Sequence, residues 1–505
     1  MILKNYCLKK LFSIAIAFSL FFTINNTFAH NHSANIYAIL VEDTSGFTNA
    51  ADFGFLPGET GVNNIKALQG ALDKGGTIVI SKAGTYKVSG TAFIGDNTSL
   101  VFGNGVVIEK SNENGRFTHI LLNKGALTRT YNHNITITGL DVRVNDVDLP
   151  MSLIYGLRGH VAFFYVKDLR IERFRCSGLV NGQFALHICT FEDLLINDVI
   201  IKGKKDGIHL GPGKRFRISN GVFQTGDDAI ALVPGDWVSA NPEFGNLEDG
   251  IIENCSDIPD DYLEGAFSKI VASAWVDWKP GIAIKHGDAV VSNGRIYRVV
   301  AALDNRVYKS ATQPLFDSGM KVLDSINWLM FQKDTIHTAV VKNVVFRDIF
   351  LYSKRVPFQV MSYSNKWSHS YYPGALLPVQ GPLSFENITM FSDNDKSLIS
   401  VTTPINMLYI RNSTLKNNWV DFGHAADYDL YPKTYLSFSN CTFTAAGNYT
   451  LIKNRSKGKE VYVKTTGSIE TGKNFSAGVE EGMGKIYIDS DLTGLKMSAA
   501  TKNKK

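Results

Sequence analysis

The sequence predicts an all-β solenoid, a stack of short coils, on three observations. Apolar and polar residues alternate in segment after segment, a polar residue that is usually asparagine marks each segment, and the marks recur at intervals in the twenties. The segments are residues 169–174, 195–200, 216–223, 251–255, 341–346, 383–390, 408–415 and 436–443. Their marks, Glu172, Asn197, Asn220, Asn254, Asn343, Asn387, Asn412 and Asn440, are separated by 25, 23, 34, 89, 44, 25 and 28 residues. Such a period without interleaved helices is what stacked coils produce, since each coil buries its inward side chains only against its neighbours. An antiparallel sandwich shares the alternation and is the competing architecture. Stacked asparagine amides can also bond from coil to coil.

The elements follow in order. Residues 1–29 carry Lys4, Lys9 and Lys10, then an apolar run, then the small residues Thr27 and Ala29, the pattern of a secretory leader cut after Ala29. The mature chain is therefore expected to be secreted or periplasmic, with no membrane span. Residues 63–74 place Ile65, Leu68 and Leu72 at helical spacing before Gly75-Gly76, which predicts a helix capping the first coil. The 89-residue step is too long for one coil, and Asn293-Gly294 between alternating segments signals a hairpin. The chain thus divides into a leader (1–29), a first solenoid part with its cap (30–275), a small inserted β-module (276–333), a second solenoid part (334–490) and a basic tail (491–505). Trp278, Tyr297 and Trp328 are expected to form the core of the module, with a sugar-stacking face as the alternative.

Composition narrows the function. The 505 residues are 44% hydrophobic and 20% charged, which excludes a disordered chain. The net charge of +5 rests on the three leader lysines and on Lys502, Lys504 and Lys505 at the tail. The body between them is close to neutral, without the basic footprint of a nucleic-acid binder. Cys176, Cys189, Cys255 and Cys441 sit in apolar alternation and are expected as buried thiols rather than a disulfide framework. No nucleotide loop, Cys/His metal cluster or Gly-x-Ser-x-Gly elbow occurs, and no cofactor is expected.

Two successive coils carry acids at nearly matching places. Asp206 stands nine residues after Asn197, and Asp227 and Asp228 stand seven and eight after Asn220. Stacking in register, with strands about 4.8 Å apart, would bring them together on one face. Carboxylates that close cannot all ionise cheaply, and a glycosidase needs one protonated and one ionised carboxyl group. Asp and Gly are also what ordinary turns use.

At these residues the sequence resembles the polygalacturonase-like glycoside hydrolases (family 28) of the pectate-lyase-like superfamily. Lys204-Lys205-Asp206-Gly207 is similar to that family's Asn-Thr-Asp-Gly motif, and Gly226-Asp227-Asp228 to its Gly-Asp-Asp motif. The likeness runs over residues 184–235 and, more faintly, 354–364. It implies a right-handed parallel β-helix that hydrolyses a glycosidic bond with inversion, with Asp227 as general acid and Asp206 and Asp228 holding the water. It also matches a late tyrosine to Tyr363. Residues 233–256 lack the family's Gly-His-Gly, and Ala283 stands where its Arg-Ile-Lys clamp has arginine. A related plant or algal polysaccharide, acidic chains included, is therefore the expected substrate. His209 is a candidate to replace the missing histidine, and Trp237 a candidate sugar-stacking platform. Lys354 and Arg355 are candidates to line the cleft and grip acidic sugars. A polysaccharide lyase and a non-catalytic carbohydrate-binding solenoid are the alternatives on the same fold.

Overall fold

The computed structural model describes residues 46–497 apart from 145–152, 181, 236–239, 263, 302–305, 334–335, 363–369, 392–395, 424–432, 445–447, 472–475, 483 and 493–494. The expected leader and residues 498–505 of the tail lie outside the described residues. The chain divides into two units, Met1–Thr48 and Asn49–Lys505. Of the first, only residues 46–48 are described. The second is the expected right-handed parallel β-helix, with a helical cap and an inserted β-module.

Its regularity follows from alternation held in register. Strands β1 (Gly159–Leu179) and β2 (Phe184–Gly203) pair in parallel with Leu169 beside Leu194 and Ile171 beside Ile196. β2 pairs in the same way with β3 (Ile208–Leu210) and β4 (Gly213–Thr225). These continue onto β5 (Ile230–Leu232), β6 (Leu247–Asp257) and β7 (Ser268–Val271). After the insertion come β8 (Val341–Leu351) and β9 (Phe358–Met361). One inward row therefore reads Ile137, Ile171, Ile196, Ile218, Ile252, Phe346, Phe385, Ile410 and Phe438, all buried. Burying each such side chain stabilises the fold by roughly 1.5–3 kcal/mol before entropy is counted.

The recurrent polar residue has a backbone cause. Two corners recur along the long strands, and one residue at each takes the left-handed conformation; β1 and β2 have a third such residue, Tyr165 and Thr190. The first corner holds Asp168, Asp193, Arg215, Asp249 and Asn343; the second holds Arg173, Asp198, Asn220, Asn254, Asp348, Asn387, Asn412 and Asn440. Asn and Asp tolerate that region better than other side chains. Their amides also bond between coils, Asn254 Nδ2 donating to Asn220 Oδ1 at 2.6 Å and Asn387 Nδ2 to Asp348 Oδ1 at 2.5 Å. Asn343, grouped by sequence with the second corner, belongs to the first, where it donates to Asp249 Oδ1 at 2.7 Å.

The cap is α1, Gly61–Leu72, two residues earlier than spacing indicated, because the Thr60 hydroxyl accepts from Asn63 N and starts it sooner. Ala67, Leu68, Ala71 and Leu72 close the end of the core. Within the insertion, a five-stranded sheet is built from Val276–Asp277, Ala289–Ser292, Arg295–Val299, Met320–Leu323 and Ile326–Gln332, with the Asn293-Gly294 turn in its central hairpin. Tyr297 and Trp328 are its buried core, and Trp278 packs against them. Among the described residues, Cys176, Cys189, Cys255 and Cys441 are buried free thiols. Among the described residues no helix is long and apolar enough to cross a membrane.

Candidate active site

Register decides which side chains meet on the outside of the helix. Along one outward row of successive coils stand Ala162, His187, His209, Ala231, Lys269 and Gln359. Two residues before the β3 and β5 strands stand Asp206 and Asp228, on neighbouring coils joined by the bond from Gly207 N to Asp228 O (2.9 Å). One residue earlier on each coil stand Lys205 and Asp227. A pair of acids on one coil thus faces a lysine and an acid on the next.

Glycines permit this closeness. A Cβ at Gly265 would lie 2.6 Å from Asp228 Oδ1 and 2.5 Å from the Asp228 backbone nitrogen, and one at Gly207 would lie 2.6 Å from Ala229 O. The turn bearing Asp227 and Asp228 is held from within by Arg355. Its Nε donates to Asp257 Oδ2 (3.1 Å), and its Nη1 donates to Thr225 O (3.1 Å) and Asp227 O. Arg355 and Asp257 are fully enclosed.

The three carboxylates converge, with one oxygen from each within 4.8 Å of the others. That density of negative charge calls for counter-ions, which the chain supplies. Lys205 Nζ contacts Asp227 Oδ2 and lies 3.4 Å from Asp206 Oδ1. Lys269 Nζ lies 2.8 Å from Asp228 Oδ2 and 3.7 Å from Asp227 Oδ1. His209 Nδ1 is 3.0 Å from Asp206 Oδ2, and Ala266 N donates to Asp228 Oδ1 at 2.9 Å. The side chains of Asp206 and Asp228 are 5% and 4% exposed against 16% for Asp227, so the first two form the floor and the third the rim.

Proton affinities differ accordingly. Burial would raise Asp206, but Lys205, the bond from His209 and Lys269 outweigh it and hold its carboxyl well below the usual range. At Asp228 burial wins over Lys269, and with the neighbouring charges of Asp227 and Asp206 it pushes the group up to about 6. Burial lowers His209 despite Asp206, so the ring is neutral, with its proton on Nδ1 facing that carboxylate. Lys205 stays an ammonium, because Asp206 and Asp227 outweigh the effect of its burial.

The hollow above this cluster is also lined by Arg158, Phe184 and Val233. Of the candidates read from sequence, Asp206, Asp227, Asp228 and His209 meet in it. His209 stacks on Phe184 with ring centroids 4.2 Å apart, and its Nε2 has no partner among the described residues. Lys354 is exposed and does not line the hollow, and Arg355 is a buried support rather than a lining residue, since Asp257 and two carbonyls occupy its guanidinium. Trp237 and Tyr363 lie outside the described residues. Lys205, Lys269, Arg158 and Phe184 were missed. Lys205 was within reach, because the interval that sets Asp228 beside Asp206 also sets Asp227 beside Lys205.

Fold and site together define a parallel β-helix with a cleft of alternating carboxylate and ammonium groups. No protein-family model matches the sequence, and no curated protein matches it. Among solved structures, it is similar to the family 28 exopolygalacturonase of Yersinia enterocolitica, with 11% identity, a TM-score of 0.47, and 89% of this chain and 79% of that chain covered. It is also similar to an exopolygalacturonase of Thermotoga maritima, with 11% identity, a TM-score of 0.42, and 90% and 92% covered. A third is the surface adhesin PfbA of Streptococcus pneumoniae, with 14% identity, a TM-score of 0.43, and 88% and 94% covered.

Proposed function

We propose that the protein is a secreted glycoside hydrolase acting on a plant or algal polysaccharide. The observation that carries this reading is the convergence of three carboxylates in one hollow, one oxygen of each within 4.8 Å of the others, in unequal surroundings: Lys205 and His209 at Asp206 favour its ionised form, while burial favours the protonated form of Asp228. General acid–base hydrolysis needs that division. In the reaction, the acid O–H bond of the Asp227–Asp228 pair breaks as its proton passes to the glycosidic oxygen. The bond from the anomeric carbon to that oxygen breaks, with its electron pair going to the leaving group. A water oxygen bonds to the anomeric carbon, and the water's proton passes to Asp206. Arg158, Lys205 and Lys269 give the hollow positive charge suited to acidic or sulfated sugars.

The test is incubation of the mature protein with plant and algal polysaccharides and their sulfated or methylated forms. New reducing ends without a new unsaturated product support hydrolysis. Unsaturated product blocked by chelator would make it a lyase, and retention on a polysaccharide gel without cleavage would make it a binding protein; either sinks the proposal. The resemblance implies inversion, whereas a two-carboxylate retaining site, with its carboxyl groups roughly 5 Å apart, would keep the anomeric configuration. Proton NMR of the first anomer released decides between them.

A further inference from the structure

We propose that Lys205 is a positioning residue that assigns the catalytic proton to Asp228 rather than to Asp227. The proposal rests on the hydrolase reading for the word catalytic, but its geometry stands apart from it. Lys205 occupies on its coil the place that Asp227 occupies on the next, so register alone sets an ammonium against the acid that the sequence resemblance marks as proton donor. Asp227 has an ammonium near each oxygen, Lys205 at Oδ2 and Lys269 at Oδ1. Protonating it would set a neutral acid between two cations and forfeit both attractions. Asp228 meets one ammonium, Lys269, and one backbone N–H, from Ala266, and is the more enclosed of the two. Before turnover the shared proton does not rest on Asp206, because His209 donates to one of its oxygens and Lys205 stands near the other, which favours the ionised form that can accept the water's proton.

The charged groups packed around the pair come from several elements, including Tyr262 and its partner Glu264 on the segment before β7, which adds negative charge near Asp227. Lys205 and Asp206 come from the preceding coil, Lys269 from the following one, and Arg158 from the wall of the hollow. Arg355 reaches the Asp227 carbonyl from inside. With Lys205 in place the trio carries its single proton on the floor of the hollow, at Asp228. Without it, Asp227 loses its closest cation and competes for that proton. Lys205 contacts the carboxylates, so its effect is on where the proton rests.

The experiment is carbon-13 NMR of the side-chain carboxyls in protein labelled at aspartate, with Asp206→Asn, Asp227→Asn and Asp228→Asn used to assign the signals. In the unaltered protein Asp228 is expected to titrate near 6. In Lys205→Met the Asp227 signal is expected to move up by about one pH unit or more. Lys205→Arg should restore the original pattern. The same variants are followed by kcat/KM against pH on whichever polysaccharide is cleaved, and the alkaline limb should move in Lys205→Met and return in Lys205→Arg. A cooperative melt serves as the folding control, and Lys205→Gln replaces the methionine variant should that fail to fold. If Asp227 titrates highest in the unaltered protein, or if Lys205→Met leaves both signals in place, the assignment is overturned. If the titrations come out as expected and no polysaccharide is cleaved, the hydrolase reading falls while the proton's placement stands.

Discussion

Two outward faces of this β-helix obey one rule with opposite results. On the late coils, register sets Tyr435, Tyr462 and Tyr487 in a row, with stacked rings whose centroids are 5.4 and 4.8 Å apart. On the earlier coils, the same spacing sets Asp206 against Asp228 and Lys205 against Asp227. A parallel coil repeats in space whatever the chain repeats in sequence. Between rings the repetition is attractive throughout, so the tyrosine row adds stability and asks nothing of its surroundings. Between carboxylates it is costly, so lysines must be interleaved; at Asp228 burial, with the neighbouring Asp227 and Asp206 charges added to it, outweighs Lys269 and raises the proton affinity. The difference teaches that chemistry in such a fold is to be sought where stacking places like charges together.

The sharpest way to break the comparison is to remove the proton from the acidic face. Asp228→Asn keeps the shape and the acceptor for Ala266 N but cannot donate a proton as an acid. Turnover is expected to fall by about 10³-fold or more, while retention on a gel containing the cleaved polysaccharide persists. Unchanged turnover would remove the acid–base reading of the trio. Next in size is the support beneath that face. Arg355→Ala leaves Asp257 buried without its cation and frees two carbonyls of the acid-bearing turn. Unfolding in denaturant should show a loss of about 3–5 kcal/mol. Arg355→Lys should recover little of it, because an ammonium cannot reproduce the forked contacts. A loss under about 1 kcal/mol would show that the guanidinium is not the internal brace its contacts describe.

How much of this was legible in the sequence depended on the length of each coil. Between Asp206 and Asp228 one short coil intervenes, so counting residues was enough to bring the acids together. Lys269 sits one coil further on, past the longer segment between β6 and β7, and no count across that segment fixes its height. Arg158 precedes the repeats that were recognised. Arg355 was read as a cleft residue because sequence places a side chain on a coil but not on its inner or outer side. The asparagines revealed the repeat but merged two corners: the left-handed backbone explains why Asn recurs, and it applies equally at Asn343 and at Asn387. Alternation and period fixed the architecture, while side-chain partners separated by long coils required the register itself.

The acidic face also carries a signature in stability against pH. Asp228 holds its proton more tightly folded, to about 6, than an unfolded aspartate does, near 3.9. Its contribution is therefore fully present below about pH 4 and is lost as pH rises through 6. Asp206 has the opposite sign: its lowered value favours the fold above the unfolded range, and that gain disappears only as pH falls below it. Asp228→Asn removes the buried charge, so it is expected to be more stable than the unaltered protein at pH 8 by about 2 kcal/mol, and to lose that advantage at pH 4. Denaturant melts at the two pH values measure the difference. An equal effect at both would mean that the carboxyl does not change its charge between them.

The smallest effect is expected on the aromatic face, and it completes the contrast. Tyr462 is stacked on both sides, by Tyr435 and by Tyr487, and its hydroxyl donates to Glu460 Oε2 at 2.9 Å. Tyr462→Ala breaks both stacking contacts at once, and with each worth about 0.5–1.5 kcal/mol the loss should be about 1–2 kcal/mol, since part of the ring already faces solvent. The outer rings are then two coils apart, too far to restack. Removal of Tyr487 alone should cost about half as much, because only one contact goes. Neither change alters the charge near Asp206, Asp227 or Asp228, so the pH dependence of turnover should stay where it was. A shift of that profile in Tyr462→Ala would mean that the two faces are coupled through the core and that the tyrosine row serves more than stability.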